Sequence, residues 1–333
     1  MIEPTGRAAL GTRGVQVSRL GFGSAPLGGL LRATTAEDAR DAVDAAWEAG
    51  LRSFDTGPQY GGGMAEQRLG AALAPRPREQ VIVSSKVGKL VELLPGEAAP
   101  GIFVGAAPHR ITYDYSYDGV MRSLDASLRR TGLERFDVLL IHDVNRKYHG
   151  DAVFARLDEA LTGACRALRS LRDQGVIGGF GPAGNELDIN LRFVREADVD
   201  CLMLPGRFTL LDRAAEAELL PECAARNVGV LLAAPFESGI LATGAIPGAN
   251  FAYAPANAAM LARVAEIEAK CWAHGMPLAA VALQFPFRHE AIASVVAGMR
   301  SRAEVEANIA LMRTPVPPAL WNELDRMQEG TRP

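Results

Sequence analysis

Four side chains that can hold or move a proton stand close to the ends of short apolar runs in this sequence. Asp55, Lys86 and His142 each end such a run, and Tyr60 lies in the Gly/Pro loop just after Asp55. Taken singly, each has an ordinary structural explanation, because an Asp at a strand end commonly caps a turn and a loop Tyr commonly packs. Taken together, an acid, a phenol, an ammonium group and an imidazole at successive strand ends indicate acid–base chemistry.

The apolar runs that precede these residues are typical of buried strands, and each is followed by a segment with helical spacing. The sequence contains eight such β-then-α units without a break in composition, which favours a parallel sheet. Eight units fit a single (β/α)8 TIM barrel, for which ~250 residues plus insertions is typical. We expect one barrel-type domain over 1–333, with an N-terminal β-hairpin at 1–17, a core barrel at 18–312 and a C-terminal helix at 313–333.

A parallel barrel would bring all the strand ends, and the four side chains with them, to one face. A doubly wound sheet is the competing architecture, but no GxGxxG follows the first strand, so a Rossmann cofactor site is not supported. The strands include one predicted at Val176–Phe180. Two long segments carry little regular pattern: 87–116, predicted to be irregular and to bind substrate, and the Gly/Ala/Pro loop 236–255.

Composition excludes several classes of protein. The chain has 333 residues, a formal net charge of −4 and 48% hydrophobic residues, which is typical of a globular protein with a large core. No basic run indicates nucleic acid binding, no apolar run is long enough to cross a membrane, and the N-terminus lacks a signal-peptide core. The four scattered cysteines indicate buried reduced thiols rather than a metal site, and we expect a cytoplasmic monomer or homo-oligomer.

Three motifs in this order carry a resemblance to a known family. FDTGPQYG begins at Phe54, SSK ends at Lys86, and LLIHD ends at Asp143. With the run at 113–143, they resemble the aldo-keto reductase family, and in particular its aldose and pyridoxal dehydrogenases, from Leu20 to about Asn308. The combined spacing is specific, whereas any one motif would not be.

The resemblance implies a role for each of the four side chains. Tyr60 would be the acid and base for a carbonyl or hydroxyl group, although its unperturbed pKa of ~10 is too high for work near neutrality. Lys86 would lower that pKa as a neighbouring cation, and Asp55 would hold Lys86. His142 would donate a hydrogen bond to the substrate oxygen.

The resemblance also implies a nicotinamide dinucleotide bound across the strand ends, without a Rossmann fold. Relatives that prefer NADP have an Arg four residues before the Asn of the last barrel helix, and this chain has Glu304 there. A carboxylate repels a ribose phosphate, so we expect NAD as the cofactor. Arg300 has the opposite charge and would attract that phosphate, so NADP remains an alternative. The residues that match the family's cofactor contacts are Gly23, Ser24, Gly181, Asn185, Phe208, Phe236, Ser238, Gly239, Leu241, Gly298, Arg300, Glu304 and Asn308.

For the substrate, the sequence points to His109, Tyr113 and Tyr115 in the segment 87–116. The resemblance implies a dehydrogenase that oxidises a sugar lactol, or the hemiacetal of pyridoxal, to a lactone. The alternatives are an NADPH-dependent reductase of aldehydes or ketones and a redox-sensing binding subunit. A small carbonyl or lactol compound is the expected partner, with no metal.

Overall fold

The computed structural model describes residues 1–96 and 101–329, except for the side chains of 328 and 329. Its strands, in chain order, are β1 Arg7–Ala9, β2 Gln16–Ser18, β3 Leu20–Gly23, β4 Ser53–Asp55, β5 Ile82–Val87, β6 Lys89–Leu93, β7 His109–Tyr113, β8 Val138–His142, β9 Gly179–Ala183, β10 Cys201–Pro205, β11 Gly229–Ala233, β12 Asn250–Phe251, β13 Ala254–Pro255 and β14 Ile292–Gly298.

Its α-helices are α1 Ala36–Glu48, α2 Met64–Leu73, α3 Tyr117–Thr131, α4 Arg146–His149, α5 Val153–Glu159, α6 Cys165–Asp173, α7 Leu187–Glu196, α8 Leu219–Ala225, α9 Ile240–Thr243, α10 Ala258–Ala273, α11 Leu278–Gln284, α12 Arg302–Arg313 and α13 Pro318–Glu329. A π-helical turn at Ala160–Ala164 joins α5 to α6. Of the predicted C-terminal helical segment, 330–333 lies outside the described residues.

Within the described residues, eight parallel strands close into a barrel in the order β3, β4, β5, β8, β9, β10, β11, β14, and β14 pairs again with β3. The order around the barrel is the order along the chain, as expected when each strand returns through a helix to its neighbour. The predicted (β/α)8 barrel is therefore confirmed. Its strands finish at one end, which we call the barrel mouth, at Gly23, Asp55, Val87, His142, Ala183, Pro205, Ala233 and Gly298.

Local signals in the sequence explain where the helices around the barrel begin and end. Helix α1 begins after Thr35, whose side chain accepts a hydrogen bond from the Asp38 N–H. Helix α3 begins after Ser116 in the same way and ends at Gly132, which adopts a left-handed conformation. The longer helices around the barrel bury small and apolar residues, so the main core lies between the strands and the helices.

A second apolar cluster fills the inside of the barrel at the opposite end from the mouth. Strands β1 and β2 form an antiparallel hairpin, and Leu10, Val15 and Val17 of this hairpin pack against inward-facing barrel residues. Those barrel residues include Leu140 and Leu231. The predicted N-terminal hairpin therefore closes the bottom of the barrel, and the mouth is left as the open end.

Two predictions about the segments after barrel strands were wrong. The segment 87–116 is not irregular, because β6 and β7 form an antiparallel hairpin that pairs Lys89 with Tyr113; residues 97–100 lie outside the described part. The loop 236–255 contains α9 and the short β12–β13 hairpin. The β6 and β7 partners are separated by Gly- and Pro-rich sequence, so no single window carries their pattern. Strands β12 and β13 are only two residues long each, which is too short for a recognisable alternation.

The fifth barrel strand was predicted at Val176–Phe180 and lies instead at Gly179–Ala183. Val176 and Ile177 gave the apolar signal, whereas Gly and Pro residues, which are poor strand formers, occupy much of the actual strand. Pairing with β8 over its full length holds this glycine-rich segment in place. The tertiary context therefore overrides the local preference.

Candidate active site

A buried lysine and aspartate form an ion pair near the mouth ends of the neighbouring strands β4 and β5. Lys86 Nζ lies 2.7 Å from Asp55 Oδ2 and also donates to the Thr56 carbonyl at 2.7 Å. The Ser84 hydroxyl donates to the other oxygen of Asp55 at 2.7 Å. Both charged groups are at least 95% buried. Such a pair is stable only because each partner is neutralised and hydrogen-bonded.

Tyr60 is placed over this pair by the loop between β4 and α2. Lys86 Nζ lies 4.7 Å from the centroid of the Tyr60 ring. Gly57 allows the approach, because a Cβ there would come within 3.3 Å of the Lys86 side chain and 3.5 Å of the ring. The rings of Tyr60 and His142 also meet edge to face, with centroids 6.1 Å apart. The structure therefore brings Asp55, Tyr60, Lys86 and His142 together.

The pKa values of Lys86 and Tyr60 both lie above their ordinary values, for different reasons. Burial disfavours the ammonium form of Lys86, but the charge and hydrogen bond of Asp55 outweigh burial and raise its pKa. Burial raises the pKa of Tyr60, and the Lys86 charge opposes this increase without cancelling it. The sequence-based expectation of a lowered Tyr60 pKa is therefore wrong for the protein alone, in which Tyr60 is a neutral phenol near pH 7.

His142 is buried and uncharged near neutral pH. Burial holds its pKa well below the usual range, and the cations of Lys89 and Lys86 add to this effect. Its Nε2 lies 3.5 Å from Asp143 Oδ2, and its Nδ1 has no hydrogen-bond partner among the described residues. The Asp143 carboxylate favours the tautomer with the proton on Nε2. A neutral imidazole of this kind can donate one hydrogen bond to a substrate oxygen.

The predicted cofactor residues at the ends of the first and last barrel strands lie side by side. Gly23 pairs with Gly298, and the Ser24 amide donates to the Asp55 carbonyl at 2.9 Å. The Ser24 hydroxyl is fully buried without a partner among the described residues, as expected of a group that a polar ligand completes. Asn185 is exposed two residues after β9. These positions fit a nicotinamide group beside the four predicted catalytic residues.

The segment that follows β11 has an unusual backbone. Ala234, Glu237 and Ser238 have φ of 53°, 48° and 60°, and Gly239 has φ of 110°. Successive residues of this kind turn amide groups toward one concave side, which is a known way to bind anionic groups. Phe236 is half-buried and Leu241 is fully buried beneath this segment. The geometry fits the predicted role of covering a pyrophosphate.

A charged cluster lies at the beginning of α12, where the resemblance puts the adenosine. Glu304 Oε2 accepts from the Arg300 amide at 2.9 Å, and Oε1 lies 3.4 Å from Arg32 and 3.6 Å from the Arg300 guanidinium. Arg300 also donates to the carbonyls of Leu30 and Arg32. Asn308 is buried on the same helix. Two guanidinium groups therefore accompany the carboxylate, and Arg32 is one that the sequence analysis did not find.

Two predicted cofactor residues are not presented at the mouth. Gly181 lies inside β9, where a Cβ would come within 1.6 Å of the Cys201 carbonyl oxygen, so its place is explained by packing between strands. Phe208 is 1% exposed and packs on Phe285, with ring centroids 4.9 Å apart. A ring that stacks on a bound nicotinamide must be accessible when the ligand is absent. Phe208 is buried in the core instead.

The three predicted substrate residues lie in different surroundings. Tyr115 is fully buried, and its hydroxyl donates to the backbone carbonyls of residues 142 and 143. Its contacts therefore stabilise the backbone around His142 rather than face a substrate. Tyr113 is half-buried and packs on the Tyr148 ring at 5.4 Å. His109 is half-buried against Gly62, close to Tyr60 in the chain. Tyr113 and His109 remain predicted substrate contacts.

Several residues near the mouth were missed by the sequence analysis. The first group consists of Lys89 and Asp143, which form an ion pair at 2.5 Å. A lysine three residues after Lys86 and an Asp directly after His142 were the signals available in the sequence. The second group consists of aromatic residues on loops: the Phe103 ring centroid lies 6.1 Å from that of Tyr60, and the Tyr253 amide donates to the Ser238 hydroxyl at 3.0 Å. Nothing local marks these two.

Comparisons with known proteins agree with this geometry. The profile described as the Aldo/keto reductase family matches residues 19–329. The chain is 39% identical to pyridoxal 4-dehydrogenase of Microbacterium luteolum over 97% of both chains. It is 36% identical to D-threo-aldose 1-dehydrogenase of a Pseudomonas species, over 97% of this chain and 96% of that one.

Solved structures support the fold. An aldo-keto reductase of Bacillus halodurans superposes with a TM-score of 0.77 at 24% identity, over 96% of this chain and 95% of that one. A glycerol dehydrogenase of Gluconobacter oxydans gives a TM-score of 0.73 at 19% identity, over 98% and 96%. Within the described residues, no helix has the length and apolar character that a membrane span needs, and no group of potential ligands is arranged to hold a metal ion.

Proposed function

Because this chain belongs to the aldo/keto reductase family, and so is a nicotinamide-dependent oxidoreductase of small carbonyl compounds, we propose that it oxidises a cyclic hemiacetal to a lactone. One observation carries the proposal. Asp55, Tyr60, Lys86 and His142 meet at the mouth of the barrel, with Tyr60 over the buried ion pair and at the edge of the His142 ring.

In the proposed reaction, Tyr60 accepts the proton of the hemiacetal hydroxyl while the hydrogen on the same carbon leaves as hydride. The bound nicotinamide supplies the hydride acceptor. Lys86 stabilises the phenolate form of Tyr60, and Asp55 keeps Lys86 in place. His142 donates from Nε2 to the oxygen that becomes the lactone carbonyl. The proton then passes from Tyr60 to solvent, so one hydride and one proton leave the substrate.

The same residues support the reverse reaction, the reduction of an aldehyde or ketone. The neutral state of Tyr60 near pH 7 favours this direction, because a phenol that keeps its proton can donate it to a developing alkoxide. Oxidation requires the phenolate and is therefore expected to accelerate as the pH rises. The two relatives of highest identity named above are both called dehydrogenases, and we place oxidation first for that reason.

For the cofactor we propose NAD rather than NADP. Glu304 supports this choice, because a carboxylate repels the ribose phosphate and can accept hydrogen bonds from ribose hydroxyls. Arg32 and Arg300 flank Glu304 and oppose it. Glu304 considered alone, as in the sequence, suggests a preference for NAD of roughly tenfold or more. With the two guanidinium groups present, we propose a smaller preference of a few-fold for NAD.

The test is turnover of the unmodified enzyme, followed by nicotinamide absorbance, with sugar lactols, pyridoxal and simple aldehydes and with both cofactors. Tyr60→Phe is the companion variant, since it removes only the hydroxyl. One acid–base group contributes about 10²–10⁴-fold in rate, so kcat should fall by that factor while cofactor affinity stays near normal. An unchanged kcat in Tyr60→Phe, or no turnover with any hemiacetal, would contradict the proposal.

A further inference from the structure

A second buried lysine near the mouth has no part in the proposed hydride transfer. Lys89 is fully buried, lies 2.5 Å from Asp143 Oδ2 and also donates to Gln59, the neighbour of Tyr60. Its ammonium group lies 4.4 Å from the centroid of the Tyr148 ring. Burial lowers the Lys89 pKa, and Asp143 only partly offsets this effect. A buried ammonium is costly to keep, so the carboxylate that it holds calls for a functional explanation.

The backbone of Asp143 has a left-handed conformation. Its φ is 54°, in a region that is uncommon for non-glycine residues but that Asp adopts more readily than most. Its amide donates to the Ala183 carbonyl at 2.8 Å, and its own carbonyl accepts from the Tyr115 hydroxyl at 3.1 Å. This conformation directs the side chain of the residue after His142 back toward His142 rather than away along the chain.

The two oxygens of Asp143 have different surroundings. Oδ2 contacts Lys89 and lies 3.5 Å from His142 Nε2. No hydrogen-bond donor among the described residues reaches Oδ1, and 21% of the side chain is exposed. One oxygen is therefore anchored while the other can accept a hydrogen bond from a ligand. The anchored oxygen lies beside the imidazole nitrogen that would contact the reacting oxygen of the substrate.

We propose that Asp143 accepts a hydrogen bond from the hydroxyl on the carbon next to the reacting carbon, so that the substrate is a cyclic sugar hemiacetal. This inference rests on the proposed function. A substrate oxygen held between Tyr60 and His142 would bring the neighbouring hydroxyl close to the Asp143 carboxylate, because Asp143 Oδ2 lies 3.5 Å from His142 Nε2. Tyr113 and Tyr148, stacked beside Lys89, form an aromatic wall of the kind against which sugar rings pack.

The same chemistry disfavours pyridoxal. The ring carbon next to its hemiacetal carbon carries no hydroxyl, and the phenolic oxygen on the following ring carbon is ionised near neutral pH and has no proton to donate. Two negative oxygens would then face each other beside His142, although Lys89 reduces their repulsion. We therefore expect kcat/KM for a sugar hemiacetal to exceed that for pyridoxal in the unmodified enzyme, and the gap to narrow when the charge of Asp143 is removed.

Asp143 has a second possible effect, through the orientation and tautomer of His142. That effect would act on the reacting oxygen and would change the rate for every substrate by the same factor. A hydrogen bond to the neighbouring hydroxyl would change the rate only for substrates that carry this hydroxyl. The ratio of kcat/KM between an aldose and its 2-deoxy analogue separates the two, since it cancels the common factor.

The experiment measures this ratio with the full-length enzyme and saturating cofactor for the unmodified enzyme, Asp143→Asn and Asp143→Ala. Asp151→Asn, an exposed carboxylate shortly after the same strand, is the matched control. A hydrogen bond to a charged acceptor corresponds to about 10- to 100-fold in kcat/KM. We expect the ratio to fall by that factor in Asp143→Ala, by less in Asp143→Asn, and to stay unchanged in the control.

Lys89→Met is the second variant, in case changes at Asp143 prevent folding. It should also lower the ratio of kcat/KM between the aldose and its 2-deoxy analogue, because Asp143 loses its ion pair with Lys89. The affinity for the cofactor should not change. The inference is overturned if both sugars lose activity equally in the Asp143 variants, or if pyridoxal is oxidised better than every aldose. Either result leaves hemiacetal oxidation intact. Absence of any hemiacetal oxidation by the unmodified enzyme would instead overturn the proposed function.

Discussion

At Tyr60, two opposing effects act on one hydroxyl group. Burial favours the neutral phenol, and the Lys86 ammonium favours the phenolate. Burial is the larger effect, so the pKa lies above its ordinary value. Below that pKa, the phenolate fraction rises tenfold with each pH unit. The site is therefore ready to donate a proton near neutrality and must lose one before it can act as a base.

Lys86→Met tests this balance. Without the cation, the Tyr60 pKa should rise further, so oxidation at a fixed pH should slow and its pH–rate profile should shift to higher pH. Reduction, which uses the neutral phenol, should be affected less. The measurement is kcat for both directions across the pH range in which the variant stays folded, checked by circular dichroism. A profile that does not shift, together with a higher KM, would indicate a binding role for Lys86.

At the scale of elements, the segment after β11 combines a strained backbone with a buried acid. Glu237 is 8% exposed, and its carboxyl group accepts a hydrogen bond from the Thr209 hydroxyl at 2.9 Å. Burial raises the Glu237 pKa to about 7, Asp212 adds to the increase, and the Thr209 hydrogen bond and Arg207 oppose it. The carboxyl is thus protonated in the folded chain at a pH where the unfolded chain has ionised it.

Glu237→Gln should therefore make stability less dependent on pH. A pKa raised on folding contributes stability below the unfolded value of ~4.5, and this contribution is lost as the pH rises through about 7. Between pH 5 and pH 8 the loss is about 2–3 kcal/mol in the unmodified protein. In urea unfolding, the free energy of unfolding should fall by that amount between pH 5 and pH 8 in the unmodified protein. In Glu237→Gln this contribution to the fall should be absent. Equal pH dependence in the two proteins would contradict the prediction.

The beginning of α12 is the second element with a testable charge. Glu304→Gln keeps an acceptor for the Arg300 amide and removes the negative charge between Arg300 and Arg32. The NADP-to-NAD ratio of kcat/KM should rise about three- to tenfold, because two guanidinium groups then face the ribose phosphate without a counter-charge. Arg32→Ala should lower the same ratio. If Glu304→Gln leaves the ratio unchanged, this cluster does not contact the adenosine ribose.

At the scale of the whole molecule, barrel closure determines which residues share the mouth. Strands β9 and β10 are in close contact, and Gly181 faces the Cys201 carbonyl at a distance that admits no side chain. Their ladder is given by a single residue pair, Met203 with Ala183. This seam therefore depends on backbone packing, and a methyl group within it would force the two strands apart.

Gly181→Ala should be strongly destabilising even though Gly and Ala differ by one methyl group. Overpacking costs about 1–3 kcal/mol and occasionally more, and the obstacle here is backbone rather than a movable side chain. The control is Gly184→Ala, whose new Cβ would have only a contact at 3.9 Å. The free energy of unfolding in urea should fall in the first variant and stay within about 0.5 kcal/mol in the second. Equal stability of the two variants would contradict the assigned packing role.

The barrel and the strand ends near Asp55, Lys86 and His142 could be predicted from the amino-acid sequence alone. These features are readable because the hydrophobic period, the helix caps and the polar residue that ends each strand are all local patterns. The boundaries were less certain where Gly and Pro occupy a strand, as in β9. There, pairing with β8 rather than local preference decided the position.

The surroundings of each side chain, by contrast, depend on how the whole chain folds. Tyr115 and Phe208 are aromatic residues in segments predicted to bind ligands, yet packing buries both of them. Lys89 and Asp143, 54 residues apart in sequence, form a pair because the β6–β7 hairpin folds back beside the end of β8. The sign of the Tyr60 pKa shift also depended on burial, which exceeds the effect of a neighbouring charge. Burial and long-range contacts depend on the whole chain, so no local pattern contains them.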